Sequence, residues 1–176
     1  MFRKIRRFKQ EMPAEECREL LKTQVRGVLS LLGDDGYPYG LPIDYWYNEA
    51  DGKLYFHGAK EGHKIHAIRA CDKASFCIHD EGVRMDGEWP LHFRSVIVFG
   101  RIAPVTDEAA TALACKELSR KFTPDDEYFN KEYAAAKDRV LCLALTPEHI
   151  TGKRIKENCP NKNSPPPWPS PRRQPS

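Results

Sequence analysis

The feature that most restricts the fold of this chain is a series of short β-rich runs separated by turn sequences. Runs rich in β-branched and aromatic residues are typical of strands. The six predicted strands are residues 25–32, 39–47, 53–57, 74–79, 93–102 and 140–145. Because several of them are joined by short turns, such as residues 33–36 and 48–52, neighbouring strands are expected to pair antiparallel. The pattern predicts a mainly β protein with peripheral helices, built as a six-stranded antiparallel barrel.

Helices are predicted between and around these strands. The predicted segments are residues 13–22, 65–69, 107–122 (with Thr106 as the N-cap) and 126–137. Acidic residues at the starts of the first and third of these segments agree with the helix dipole. Pro42 interrupts the second predicted strand, and a proline there indicates a sheet edge or a bulge.

The 176 residues are expected to form one domain followed by a tail. The domain is predicted to cover residues 1–157 and to begin with a basic arm at residues 1–12. Half of the 14 prolines lie beyond residue 159, so residues 158–176 are predicted to be a Pro-rich, disordered tail.

Composition and charge narrow the class of protein. The chain is 40% hydrophobic and 30% charged, and it has no apolar run of about 18 residues, so no membrane span is expected. The basic N-terminus leads into no apolar signal-peptide core, which favours a cytoplasmic protein. Basic residues at both ends leave nucleic-acid binding open as an alternative, although the net charge is only +3 and no nucleic-acid motif accompanies them.

The loop that follows the third predicted strand carries an anion-binding pattern. Residues 58–64 read GAKEGHK and lead into a short helix. The free N–H groups at the start of a helix attract anions, and a phosphate most of all. Gly62 allows close approach, and His63 and Lys64 add donors. The loop matches neither the Walker pattern nor the dinucleotide fingerprint, and it predicts a phosphate-bearing cofactor.

Three histidines lie near this loop: His57, His63 and His66. Their spacing does not match a zinc template, so no metal site is predicted. His57 ends the strand beside the loop and is the candidate for proton transfer, because an imidazole can exchange protons near neutral pH. No serine-nucleophile pattern is present, so nucleophilic hydrolysis is not favoured.

Taken in order, five segments resemble the FMN-binding split-barrel, or pyridoxamine 5′-phosphate oxidase-like, superfamily, and within it most the nitroimidazole-resistance (Nim-type) proteins. The segments are residues 1–3, residues 27–39, residues 54–64, residues 93–101 and residues 147–153.

The resemblance implies a split barrel that forms a homodimer, with FMN in a groove between the subunits. By this analogy the flavin contacts are Leu41, Pro42, Ile43, Asp44, Phe56, His57, Gly58, Ala59, Gly62, His63, Lys64, Ser95 and Val96. Of these, Gly62, His63 and Lys64 hold the phosphate.

The implied activity is that of a flavin oxidoreductase that reduces a small acceptor such as a nitroimidazole or another nitroaromatic, with NAD(P)H as a candidate electron donor. Leu41 and Pro42 stand where the oxidase proper has an arginine, which argues against synthesis of pyridoxal phosphate. Two other hypotheses stay open at this point: a non-catalytic FMN storage or sensor protein, and a haem-binding split barrel.

Overall fold

The computed structural model of the chain describes residues 1–86 and 89–155, so the predicted tail at residues 158–176 lies outside the described residues. The helices are α1 (Ala14–Thr23), α2 (His63–Ala70), α3 (Glu108–Arg120) and α4 (Asp126–Ala136). The strands are β1 (Arg26–Leu32), β2 (Pro38–Asp44), β3 (Trp46–Asn48), β4 (Lys53–Ala59), β5 (Lys73–His79), β6 (Val83–Arg84), β7 (Leu91–Pro104) and β8 (Val140–Ile155).

These strands form one antiparallel sheet in the order β2-β1-β5-β7-β8-β4-β3, with β6 paired to β7. The two ends of the sheet curl towards each other, so that β2 comes into contact with β4. The mainly β architecture and the antiparallel pairing agree with the prediction. The strand number does not, because the described residues hold eight strands rather than six.

Tyr45 explains the first extra strand. Its side chain is completely buried, and its hydroxyl donates a 2.8 Å hydrogen bond to the carbonyl of Leu21. This inward turn ends the ladder between β2 and β1 at Asp44, and the chain continues as β3 along β4. One predicted strand, residues 39–47, is therefore two strands in different parts of the sheet.

The last strand also differs from its prediction, because β8 continues to Ile155 rather than ending near residue 145. Pro147 is tolerated because the ladder between β7 and β8 shifts its register between Phe99 and Gly100. A bulge of this kind accommodates a residue that cannot donate a ladder hydrogen bond. The other extra strand is the two-residue β6.

The core fills the inside of the curled sheet. Large side chains from opposite strands meet there, including Phe56 and Phe76, whose rings lie edge to face at 5.1 Å. Leu20 and Leu21 of α1 are completely buried in the same cluster. The outer face of β4 and β8 carries a second, smaller cluster, which α3 and α4 cover.

The helices begin close to their predicted positions, with one difference in capping. Asp107, and not Thr106, caps α3, because its carboxylate accepts a 2.6 Å hydrogen bond from the backbone N–H of Ala110. Asp125 caps α4 in the same way through the N–H of Tyr128. None of the helices in the described residues is both long and apolar enough to cross a membrane.

The basic arm folds back onto the sheet. The backbone N–H of Met12 donates to the carbonyl of Gly152, and Glu11 forms a bridge with Lys153 of β8. Nearer its start, the ring of Phe2 stacks on His149 at 4.7 Å. The arm therefore lies along β8 in the single chain.

Candidate functional site

The turn between β4 and α2 is shaped as the sequence predicted, and α2 begins two residues earlier, at His63. Gly62 has φ 112°, a left-handed conformation that favours glycine. Its carbonyl already accepts hydrogen bonds from Ile65 and His66, but no side chain caps the helix start. The first backbone N–H groups of α2 are therefore available to an external acceptor.

Lys64 places a positive charge beside this helix start. Its ammonium lies over Gly58, where the Cβ of any larger residue would collide with it. The side chain is half-buried, and burial lowers the pKa of Lys64 from its ordinary value. Within residues 1–86 and 89–155 no carboxylate forms an ion pair with it. A half-buried cation with no acidic partner is suited to bind an anionic ligand.

The side chain of His63, the other predicted phosphate donor, is directed away from the helix start, towards Tyr39 and Asp34. Its ring stacks on Tyr39 at 4.1 Å, and its Nε2 lies 3.4 Å from a carboxylate oxygen of Asp34. These contacts join α2 to β2 and to the turn before it. The backbone N–H of His63 still points out of the helix start, so this residue can serve an anion through its main chain.

A groove of about 350 Å³ lies between the end of β2 and β4, on the His57 side of Gly58 and the Lys64 ammonium above it. Its lining is formed by Arg26, Pro42, Ile43, Asp44 and His57. The guanidinium of Arg26 holds the Asp44 carboxylate through two hydrogen bonds, of 2.6 and 3.1 Å. The structure therefore brings together His57 with three of the four residues predicted from β2.

His57 has a perturbed pKa in this groove. Desolvation by the surrounding protein lowers the pKa of the imidazole, and the positive charge of Lys64 lowers it further. The carboxylate of Asp44 acts in the opposite direction but is the weaker influence. The neutral imidazole is thus favoured, which makes His57 a proton acceptor or a neutral hydrogen-bonding group near pH 7.

Lys121, at the end of α3, is a residue that the sequence analysis missed. Its Nζ donates a 2.6 Å hydrogen bond to the carbonyl of Gln24 and lies 4.3 Å from the centre of the Tyr45 ring. Burial lowers its pKa to about 8, against an opposing effect of Asp44. This second half-buried ammonium is close enough to the Asp44 carboxylate of the groove to be influenced by its charge.

Other predicted contacts have side chains that face elsewhere. Phe56 and Val96 are completely buried in the core, so only their backbones could reach a ligand. Ser95 lies in β7, which is separated from β2 by β1 and β5. Leu41 packs against the core beside the groove, while Gly58 and Ala59 continue β4 from His57 towards the turn.

A larger cavity of about 590 Å³ lies elsewhere, among the end of β5, β6, the start of β7 and the end of β8. Its most polar feature is the ion pair between Arg94 and Asp80, at 2.8 Å. None of the predicted flavin contacts lines it.

Comparison with known proteins gives a family match over most of the chain. The family model described as pyridoxamine 5′-phosphate oxidase matches residues 13–154. No curated protein matches the sequence.

Several solved structures share the fold. A putative 5-nitroimidazole antibiotic resistance protein from Bacteroides thetaiotaomicron is 17% identical, with a TM-score of 0.67 over 82% of this chain and 86% of that one. A FAD-binding protein from Mesorhizobium loti is 23% identical, with a TM-score of 0.64 over 84% of this chain and 98% of that one. A FAD and heme binding protein from Mycobacterium smegmatis is 22% identical, with a TM-score of 0.65 over 85% and 74% of the two chains.

Proposed function

Since the chain belongs to the pyridoxamine 5′-phosphate oxidase family, we propose that it is a flavoprotein that binds FMN between the β4–α2 turn and the groove lined by His57. The observation that carries the proposal is the half-buried ammonium of Lys64, which has no acidic partner in the described residues and lies beside the uncapped start of α2. A phosphate would neutralise Lys64 and accept the free N–H groups of the helix.

The residues of the groove suit the ring end of a flavin, opposite the phosphate. The Asp44 carboxylate, held by Arg26, and the neutral imidazole of His57 offer fixed hydrogen-bonding groups beside the apolar side chains of Pro42 and Ile43. A planar ring system with polar edges needs this combination. The relatives described as FAD-binding support a flavin, and FMN is our choice because, among the described residues, the site offers one helix start and one ammonium without an ion-pair partner.

We also propose a homodimer, in which a second copy covers a partly exposed row on the outer face of the sheet. Directly paired residues of antiparallel strands point to the same face. The ladder pairings place side by side Pro42, Val28, Cys77, Ile97 and Thr151. Val28 is 43% exposed in the single chain. Such a row is a suitable surface for a second copy, whose own Ser95 could then approach the flavin.

A bound flavin would supply two-electron redox chemistry, and the protein would orient the ring and control protons. We propose that the acceptor is a small nitroaromatic such as a nitroimidazole, reduced with electrons from NAD(P)H. His57 would position the acceptor or exchange a proton with it, because its imidazole lies in the groove and is neutral near pH 7. Arg26 would hold Asp44 in place.

Affinity for two flavins that differ only in the phosphate tests the cofactor assignment. We expect the purified protein to bind FMN more tightly than riboflavin. Lys64→Ala should weaken FMN binding by about 1.5–3 kcal/mol through loss of a charge-assisted contact, and should leave riboflavin binding unchanged. The measurement is quenching of flavin fluorescence during titration.

The matched control is Lys60→Ala, which removes an exposed lysine from the same turn. It should change FMN binding far less than Lys64→Ala does. Equal losses of FMN and riboflavin in Lys64→Ala would contradict the phosphate assignment. Tighter binding of FAD than of FMN would identify FAD as the cofactor instead of FMN, and a haem absorption band in the purified protein would identify haem.

The role of His57 is tested by separating binding from turnover. His57→Ala should keep FMN affinity within about threefold, since the residue is assigned no phosphate contact, and should lower the rate of nitroaromatic reduction by about 10²-fold or more. The measurement is steady-state oxidation of NAD(P)H with and without the acceptor. Full turnover in His57→Ala would exclude the proton-transfer role, and absence of turnover in the parent protein would favour a flavin store or sensor.

A further inference from the structure

Two cysteine thiols meet beneath helix α3, away from the proposed flavin groove. Cys115 lies on α3 and Cys142 on β8, and their Sγ atoms are 3.5 Å apart. Both are free thiols, and both belong to the small cluster that α3 and α4 form on the outer face of β4 and β8. Across the described parts of the chain, no other pair of thiols makes contact.

The surroundings hold the two sulfurs against each other. The Sγ of Cys142 also lies 3.8 Å from the carbonyl of Thr111, one turn before Cys115 on the same helix. Ala114 and Tyr55 pack beside the pair. Cys142 therefore sits against one turn of α3, and a small inward movement of that turn would bring the sulfurs to bonding distance.

We propose that Cys115 and Cys142 are an oxidisable dithiol, which hydrogen peroxide converts to an intramolecular disulfide that fastens α3 to β8. In the first step the Cys115 sulfur attacks one peroxide oxygen, the O–O bond breaks and a water leaves, giving a sulfenic acid. In the second step the Cys142 thiol attacks the Cys115 sulfur, the S–O bond breaks and a second water leaves. The two thiols lose two electrons and two protons, and one peroxide becomes two waters.

The environments of the two thiols assign these roles. Cys115 is 9% exposed and Cys142 is 1% exposed, so an oxidant reaches Cys115 first. The hydrogen bond with Cys142 lowers the pKa of the Cys115 thiol, whereas that contact and burial together raise the pKa of Cys142. A thiol with a lowered pKa and the better access is the attacking group, and its neighbour is the resolving group.

Peptide mapping of the folded full-length protein tests the proposal. The protein is treated with hydrogen peroxide, its remaining thiols are alkylated in denaturant, and it is digested with trypsin without reduction. Cleavage should release residues 102–116 and residues 140–153 as one disulfide-linked species. Dithiothreitol should return the two separate peptides. Oxidation should also raise the Tm by roughly 5–10 °C, because the bond closes a loop in the unfolded chain.

Variants distinguish this bond from general oxidation. Cys142→Ser should abolish the linked species and leave a sulfenic acid on Cys115 that dimedone traps, whereas Cys71→Ser should preserve the linked species. The proposal is overturned if Cys71 or Cys77 oxidises while no linked species forms, or if Cys115 proceeds to sulfinic acid in the unaltered protein. The map of the unaltered protein decides the question even where Cys142→Ser fails to fold.

Discussion

At the scale of single residues, the site depends on charges that are buried without full compensation. The loop at residues 58–64 could be interpreted from the sequence because its glycine, its lysine and its helix start are neighbours in the chain. The position of Lys121 at the site could not be inferred in this way, because its hydrogen-bond acceptor, Gln24, is 97 residues away. The pair of Arg26 and Asp44 likewise requires the hairpin to be in register before the two side chains meet.

The half-buried ammonium of Lys121 makes the free energy of unfolding depend on pH in the alkaline range. Its pKa is lowered to about 8 in the folded protein from an ordinary 10.5, so between these values the unfolded state holds more protons. The free energy of unfolding should therefore rise with pH across that window, by roughly 1–3 kcal/mol from this group. Below pH 8 both states are protonated, and the folded state bears the full desolvation cost.

Lys121→Met should remove that rise while leaving the rest of the pH profile unchanged. The measurement is urea unfolding at pH 7, 8, 9 and 10 for the parent and the variant. Lys137→Met, at an exposed lysine that ends α4, controls for the loss of one charge. Parallel profiles for the parent and Lys121→Met would show that the ammonium is not desolvated as described.

At the scale of elements, the sequence located the segments well and their limits less well. Local patterns fix where β-rich runs and helices lie, and each predicted run overlaps at least one observed strand. The number and the length of strands depend on tertiary contacts instead. Tyr45 divides one run because its ring is buried under α1, and β8 continues past Pro147 because its ladder with β7 shifts register there through a bulge in β8. Neither partner is visible from the local sequence.

The cap of α3 gives a test at this scale. Asp107→Ala should destabilise the protein by about 1 kcal/mol, because the N–H of Ala110 loses its acceptor. Thr106→Ala, at the residue that the sequence had suggested as the cap, should stay within about 0.5 kcal/mol of the parent. The measurement is the free energy of unfolding in urea, and a larger loss in Thr106→Ala than in Asp107→Ala would reverse the assignment.

At the scale of the whole molecule, no helix of residues 1–86 and 89–155 covers the central row on the outer face of the curled sheet. The two faces of the strands differ: the inner side chains form the core, whereas Val28, Cys77 and Ile97 form part of the outer row. The alternation of inward and outward side chains along a strand predicts this division within each strand. The alignment of the row across five strands follows from the register, which single strands do not reveal.

A charge in the middle of this row should separate the proposed dimer. Val28→Glu is expected to elute as a monomer in size-exclusion chromatography with light scattering, while the parent elutes as a dimer, because the interface would bury an unpaired carboxylate. The affinity for FMN should fall when the dimer dissociates. Val83→Glu, at an exposed valine of β6 outside the row, should leave the mass unchanged. A dimeric Val28→Glu protein would place the interface elsewhere.

The order of strands in the sheet also has a consequence for how the chain folds. One edge of β4 pairs with β8, so Leu54 must find Leu145, and β1 pairs with β5 although β2, β3 and β4 lie between them in the chain. Such non-local pairings require large loops to close before they gain contacts, which makes folding slow. During synthesis, the edge of β4 that pairs with β8 stays unpaired until β8 has been made. This interval is when the chain is most exposed to aggregation, and expression at low temperature or with chaperones should raise its soluble yield.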